Sequence, residues 1–249
     1  MQSGQGIVRI GSGLQRRLLA ALLVNARSVV SADRLVDILW GGQAPVDPRQ
    51  NLWTCVARLR RTLADRSGTA VGELLVTRPP GYLLAAEPEQ IDVGQFERLV
   101  RAAARTAAGE PRVAGDLLDR ALGLWRGPAL AEFAGEPFAA AEAARLDELR
   151  LTATEDRFEI DLILGEHSTL IGKLSGFITA QPLRDRCRAQ LMLALYSCGR
   201  QAEALQVYRT YREILDSELG LEPSTALRSL QTQILGPVSY THLTLPTKA

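Results

Sequence analysis

The stretch that decides the fold runs from Pro48 to Arg66 and reads PRQNLWTCVARLRRTLADR. Its apolar side chains recur at helical spacing, which predicts an amphipathic helix, the third of the chain. Asp47 and Pro48 open this helix, with proline near the first turn, where its missing N–H costs little. The stripe that we expect to pack against the rest of the domain consists of Leu52, Val56, Leu59 and Leu63.

The side of this helix opposite the apolar stripe carries residue types that suit the major groove of DNA. Arginine can bind guanine through two hydrogen bonds, asparagine can bind adenine, and flanking arginines can neutralise phosphates. We predict base contacts from Asn51, Thr54 and Arg58. We predict phosphate contacts from Arg61 on this side and from Arg49 and Arg60, which lie to the sides of the stripe. The competing interpretation is a solvated basic face, which is the usual meaning of a run of charge.

Two helices precede this one in the sequence. Leucines at helical spacing predict a helix over residues 14–25. Ser31 stands at a favourable N-cap position ahead of a second helix that ends near Trp40, followed by Gly41 and Gly42. The positive end of a helix attracts phosphate, so Ser31 and Arg34 are further candidates for phosphate contacts.

A β-hairpin is predicted after the three helices. The short apolar runs Leu74–Thr77 and Tyr82–Ala85 flank the turn sequence Arg-Pro-Pro-Gly. Three helices followed by a hairpin form a winged helix-turn-helix, and Arg78 at the hairpin tip is a phosphate candidate. The first predicted domain, a winged helix of the DNA-binding kind, therefore spans residues 1–90.

The charge of the chain is divided between its two parts. Residues 1–90 contain 11 basic and 7 acidic side chains, whereas residues 91–236 contain 17 basic and 21 acidic ones. This asymmetry indicates that the first part binds a polyanion and that the second has another role.

Residues 91–236 are predicted to form an all-α domain, so the whole chain is expected to be mainly α. Gly165 and Gly199 stand 34 residues apart, which is the tetratricopeptide period. Stacked helical pairs offer a surface for another protein and contain no chemistry of their own. Trp125, Phe133 and Phe138 are either a binding patch or core, and helical aromatics usually belong to a core. The predicted helices are 92–108, 111–126, 136–164, 166–180, 183–198, 201–219 and 223–235.

The quoted motifs resemble a known family. The run ARLRRTL and the wing sequence VTRPPGYLL look like the OmpR-like winged helix of Streptomyces antibiotic regulatory proteins, the SARP family. The runs VGQFERLVRAAA, LLDRALGLWRGPALAEF and LMLALYSCGRQAEALQVYR look like the bacterial transcriptional activation domain that follows it. The resemblance covers roughly residues 14–235. OmpR-like domains usually begin with several strands, and here Ile7–Ile10 is the one candidate strand.

The resemblance implies a function for both domains. It implies binding to direct repeats in double-stranded promoter DNA, recruitment of RNA polymerase, and activation of a secondary-metabolite gene cluster, often an antibiotic cluster. By the same resemblance, residues 48–66 would be the recognition helix, and the loop Gly41–Asp47 would correspond to the segment that OmpR-like activators can present to RNA polymerase. The helical domain would support homodimerisation or contacts with other proteins.

Other functional classes find little support in the sequence. GxxxxGK[ST], GxSxG and HExxH are all missing, and the three cysteines show no metal-binding spacing, so we expect no enzyme, no cofactor and no metal site. The longest apolar stretch, Leu18–Val24, is too short to cross a bilayer, and we expect a cytoplasmic protein. Cys55 is either a redox sensor on the recognition helix or a small half-buried residue, and the second interpretation is favoured.

Two further interpretations concern the alternative function and the end of the chain. The alternative function is a helical-repeat scaffold for protein–protein interactions, in which the winged helix binds a protein. Residues 237–249, PVSYTHLTLPTKA, fit neither domain and resemble a non-native tail. The native protein would then continue beyond residue 236, and some larger SARP proteins carry an NTPase domain there.

Overall fold

A computed structural model describes residues 10–67 and 74–236 of the chain. These residues form ten α-helices and one small antiparallel sheet, which confirms the prediction of a mainly α protein. The candidate strand Ile7–Ile10 and the tail 237–249 lie outside the described residues, except for Ile10. The first elements are α1 Gly13–Val24, β1 Val30–Ser31, α2 Ala32–Trp40, α3 Pro48–Ser67, β2 Leu75–Arg78 and β3 Gly81–Leu84.

The first three helices form the predicted three-helix core. Ser12 caps α1 by accepting a hydrogen bond from the backbone N–H of Gln15, and Ser31 caps α2 by accepting one from that of Arg34. Leucines from all three helices lie together at the centre with almost no exposed surface. Their burial is the main force that holds the helices together, because each buried leucine contributes about 1.5–3 kcal/mol. These residues are Leu18, Leu22, Leu35, Leu52 and Leu59.

The sheet has the strand order β1-β3-β2. The hairpin β2–β3 was predicted from the sequence, and the structure gives its register, which places Leu75 opposite Leu84 and Arg78 opposite Gly81. The two-residue strand β1 was not predicted, because two residues are too few to show alternation. It pairs with β3 through Val30 opposite Tyr82.

The remaining helices are close to the seven predicted. They are α4 Asp92–Thr106, α5 Pro111–Leu122, α6 Ala140–Ile163, α7 His167–Ala180, α8 Asp185–Ser197, α9 Gln201–Leu219 and α10 Thr225–Leu235. The prediction that one helix reaches residue 126 and the next starts at 136 was wrong by four residues at each end. Leu130 adopts a left-handed φ of 48°, and a series of tight turns follows it. The residues missing from the two helices, 123–126 and 136–139, lie in turns and irregular backbone on either side of Leu130.

By packing, the chain divides into two compact units. The first comprises residues up to Glu97 together with Leu124–Leu149, and the second comprises Arg98–Gly123 and the residues from Arg150 onward. Within the first unit, Arg16 pairs with Glu132 at 2.9 Å and Arg17 with Glu136 at 2.5 Å. These contacts attach the turns after α5 to α1, a relationship that the sequence pattern does not show.

The second unit contains the helical pairs that the 34-residue spacing predicted. Gly165 and Gly199 end α6 and α8 with φ values of 77° and 76°, a left-handed conformation that glycine adopts without a steric penalty. The unit also buries the Asp161 carboxylate, which accepts hydrogen bonds from Arg157 and from the half-exposed Lys173. Burying that carboxylate requires these partners, since an unpaired buried charge is very costly.

Candidate nucleic-acid interface

The candidate interface is centred on α3, whose two sides differ as the sequence predicted. Leu52, Val56 and Leu59 are at most 1% exposed and anchor the helix to the core. Arg58 and Arg61 are exposed, and Thr54 is half-buried. The structure therefore keeps the polar side of α3 accessible, which is the geometric requirement for a helix that enters a DNA groove.

Two of the three predicted base-contacting side chains make local hydrogen bonds. The Asn51 amide donates to the carbonyl oxygen of Asp47 at 2.7 Å, and the Thr54 hydroxyl donates to that of Gln50 at 3.0 Å. This bond uses one of the two amide N–H donors of Asn51, so the side chain retains a second N–H and its carbonyl oxygen, the two groups that pair with adenine. Thr54 can keep its bond and still accept one, because a hydroxyl oxygen also has lone pairs.

The side chain of Arg60 extends from α3 to the wing. Its Nε donates to the carbonyl oxygen of Leu75 at 2.7 Å, and its Nη2 donates to the hydroxyl of Thr77 at 2.8 Å. Both acceptors belong to β2. These bonds occupy two of the five N–H donors of a guanidinium, so Arg60 connects the wing to α3 and retains donors for a phosphate.

The predicted phosphate contacts on α2 and at the start of α3 lie close together. Arg49 donates to Asp33 at 2.8 Å, and both side chains are about three-quarters exposed. This ion pair joins the first turn of α3 to the first turn of α2. Ser31 caps α2, and Arg34 is exposed one turn later. The positive end of α2 therefore lies beside Arg49, and a phosphate bound here would compete with the Asp33 carboxylate for Arg49.

The wing is attached to the start of α2 by backbone contacts. The N–H of Ala32 donates to the carbonyl oxygen of Pro80 at 3.1 Å, next to the β1–β3 pairing. A Cβ at Gly81 would lie 1.9 Å from the carbonyl oxygen of Val30, so only glycine allows this approach. Arg78 is exposed at the hairpin tip, as predicted for a phosphate contact.

The sequence prediction missed two exposed residues on α3. Gln50 is exposed, and the Trp53 side chain is 57% exposed although it is large and mostly apolar. Helical periodicity contains the signal for both, because neither position falls on the stripe of Leu52, Val56 and Leu59. For Trp53 the residue type suggests the opposite, because a large apolar side chain such as tryptophan is normally expected in a core.

Trp125, Phe133, Phe138 and Cys55 are packing residues. The ring centroids of Trp125 and Phe96 lie 5.3 Å apart in an edge-to-face arrangement, and those of Phe133 and Phe138 lie 6.0 Å apart. Phe133 is only 8% exposed, which favours the core interpretation over a binding patch. Cys55 is buried, and this burial raises the pKa of its thiol, opposite to the shift that a reactive cysteine needs.

The described part of the chain contains neither a candidate metal site nor a helix that could span a membrane. Residues 10–67 and 74–236 contain no group of three or more His, Cys, Asp or Glu side chains positioned to hold a metal ion. Over the same residues, every helix is too short or too polar to span a bilayer.

A winged helix followed by helical repeats defines a class of DNA-binding transcriptional regulators, and comparisons with known proteins agree with it. The family described as the bacterial transcriptional activator domain matches residues 91–235. The family described as the C-terminal domain of transcriptional regulatory proteins matches residues 11–84. The chain belongs to the SARP family of transcriptional activators, which combines these two domains.

Three relatives illustrate the similarity. The chain is 38% identical to the regulatory protein DnrI of Streptomyces peucetius over 88% of this chain and 83% of DnrI. It is 39% identical to the transcriptional regulator RedD of Streptomyces coelicolor, over 94% of this chain and 66% of RedD. It is 38% identical to the regulatory protein AfsR of Streptomyces griseus over 93% of this chain, which spans only 23% of AfsR.

A solved structure has the same fold. The structure of Mycobacterium tuberculosis EmbR in complex with a low affinity phosphopeptide aligns with a TM-score of 0.87 and 31% identity. The alignment covers 93% of this chain and 62% of the EmbR chain.

Proposed function

We propose that this protein is a sequence-specific DNA-binding activator whose α3 lies in the major groove of promoter DNA. The observation that carries the proposal is the two-sidedness of α3, which buries Leu52, Val56 and Leu59 and leaves Arg58 and Arg61 accessible. A helix of this kind is anchored firmly enough to hold a register on DNA. Family membership supports the same function.

Each predicted site residue has a proposed role. Asn51, Thr54 and Arg58 contact base edges. The phosphate contacts are spread over α2, α3 and the wing, so that the protein contacts the DNA backbone on both sides of the groove. These residues are Ser31, Arg34, Arg49, Arg60, Arg61 and Arg78.

The finer biology rests on the family. We propose that the targets are direct repeats near the promoters of a secondary-metabolite gene cluster, that the protein works as a homodimer, and that it acts in the cytoplasm without catalysing a reaction. The loop Gly41–Asp47 would contact RNA polymerase. Val46 in this loop is a fully exposed apolar side chain, which suits a protein contact.

Duplex binding at several salt concentrations tests this function. We expect the full chain to bind its promoter fragment at least about 1,000-fold more tightly than random duplex. We also expect the logarithm of the association constant to fall linearly with the logarithm of the salt concentration. Arg58→Ala should reduce the specificity ratio. Arg209→Ala removes an exposed arginine from α9 and should change neither quantity.

The same measurement distinguishes the scaffold alternative. A winged helix that binds only a protein would show no preference for the promoter fragment, and its binding to duplex DNA at low salt would be weak. Equal binding to promoter and random duplex would overturn the proposed function.

A further inference from the structure

The feature that the proposed contacts leave unexplained is the exposure of Trp53. The other large apolar side chains on α3 near it, Leu52, Val56 and Leu59, are buried in the core, whereas Trp53 is 57% exposed. Leaving most of an indole in water forgoes the stabilisation that its burial would provide. A single exposed apolar residue is common on protein surfaces, so its position must decide whether it has a role.

Trp53 lies in the same turn of α3 as Thr54, and because successive helical residues point about 100° apart, it lies on a flank of the side that carries the proposed base contacts. It directly precedes Thr54, and it stands one turn after Arg49 and one turn before Ala57. Arg49 is engaged with Asp33 on α2. Ala57 is half-buried and ends at Cβ, so its side chain is too short to cover an indole one turn away. The indole is thus left as an accessible apolar surface in the N-terminal half of the helix, the half that reads bases in helix-turn-helix proteins.

The major groove offers one kind of apolar group to such a surface. The edges of guanine, cytosine and adenine present hydrogen-bond donors and acceptors, whereas thymine also presents its C5 methyl group. The indole has a single donor and no acceptor, so it cannot read a base by paired hydrogen bonds as Asn or Arg does. Its flat apolar face is suited to contact with a methyl group.

We infer that Trp53 is a specificity-determining residue that packs against the C5 methyl group of a thymine in the target site. This inference rests on the proposed function, because it requires that α3 enters the major groove. It assigns to this helix a readout of A·T pairs by apolar contact, in addition to the hydrogen bonds of Asn51, Thr54 and Arg58. The contact removes both the methyl group and part of the indole from water.

Deoxyuridine provides a probe that removes the methyl group and leaves every hydrogen-bonding group in place. The target site would be determined by selection from random duplexes with the full chain. Each thymine would then be replaced in turn by deoxyuridine, and the Kd measured at fixed salt. For one position we expect a loss of about fourfold, the value of one buried methyl-sized group.

The variant Trp53→Ala identifies which position couples to the indole. We expect it to bind the thymine site more weakly than the wild type does and to be insensitive to deoxyuridine at that position. Trp53→Phe should recover most of the sensitivity, since phenylalanine also packs against a thymine methyl. Arg209→Ala should keep the full deoxyuridine effect. Thermal unfolding of each variant should match the wild type, because the side chain lies mostly outside the core.

Two outcomes would overturn the inference, and they differ from failure of the proposed function. One is an equal deoxyuridine effect in Trp53→Ala and the wild type at every thymine. The other is unchanged DNA affinity of Trp53→Ala combined with loss of transcription from the promoter, which would assign the indole to a protein contact. Failure of the proposed function would appear earlier, as a wild-type chain that does not distinguish its selected site from random duplex.

Discussion

The Nε of Arg60 on α3 donates a hydrogen bond of 2.7 Å to the carbonyl oxygen of Leu75 on β2. A second bond, to the hydroxyl of Thr77, extends the contact along the same strand. One arginine of the proposed recognition helix therefore sets the position of the wing. Helical spacing places Arg60 to the side of the apolar stripe and the exposed Arg61 opposite it, but it does not show that Arg60 reaches β2.

Replacement of Arg60 should affect folding as well as DNA binding. Arg60→Ala leaves the carbonyl oxygen of the buried Leu75 without this donor, so we expect the free energy of unfolding to fall by about 1–3 kcal/mol. Arg60→Lys should not restore it, because an ammonium cannot reproduce the two-pronged geometry. Urea denaturation measures the change. Arg61→Ala is the matched control and should remain within about 0.5 kcal/mol of the wild type.

Arg58 and Arg78 should differ in the kind of binding that they support. Arg58→Ala is expected to cost roughly 1–3 kcal/mol at one base position and to relax specificity there. Arg78→Ala should weaken binding to all sequences and reduce the salt slope by about one unit. Titrations of specific and random duplexes at several salt concentrations separate the two effects. Equal losses on both duplexes for both variants would show that these roles are wrong.

Gly81 should tolerate no side chain. Gly81→Ala places a Cβ against the carbonyl oxygen of Val30, and the backbone of β1 or β3 must shift to accommodate it. We expect a loss of more than about 2 kcal/mol in the free energy of unfolding, together with weaker DNA binding because the wing moves. Gly42→Ala is the control, since no atom lies within 4 Å of the Cβ position there. Similar stabilities of the two variants would contradict the close approach.

The three cysteines should differ in reactivity. Cys198 is exposed, whereas Cys55 and Cys187 are buried. Burial and the neighbouring Glu155 carboxylate raise the pKa of Cys187 to about 12, so its thiol stays protonated at pH 8. Iodoacetamide at pH 8 should therefore modify Cys198 and leave the other two intact, which mass spectrometry would show. Rapid modification of Cys55 in the folded Cys198→Ser variant would contradict this prediction and would support a redox-sensing role for Cys55.

Apolar periodicity, together with the residues that begin or end helices and form turns, was sufficient to predict most of the fold. The leucine stripes reflect the amphipathicity of each helix, and Ser31 before α2 reflects helix capping. The Pro-Pro-Gly sequence and the 34-residue spacing of Gly165 and Gly199 reflect turns. These preferences act over a few residues, so a pattern within one segment contains them. The same patterns placed Leu52, Val56 and Leu59 in the core and Arg58 on the surface.

Tertiary structure alone decided the relationships between segments. The sequence does not show that Arg60 bonds to β2, that Val30 pairs with Tyr82, or that Arg16 and Arg17 reach Glu132 and Glu136. Helical periodicity places Trp53 off the apolar stripe of α3, but it does not show that the rest of the protein leaves the indole 57% exposed. Each of these depends on which distant backbone or side chain arrives opposite a residue, and that is settled only when the helices and strands pack together.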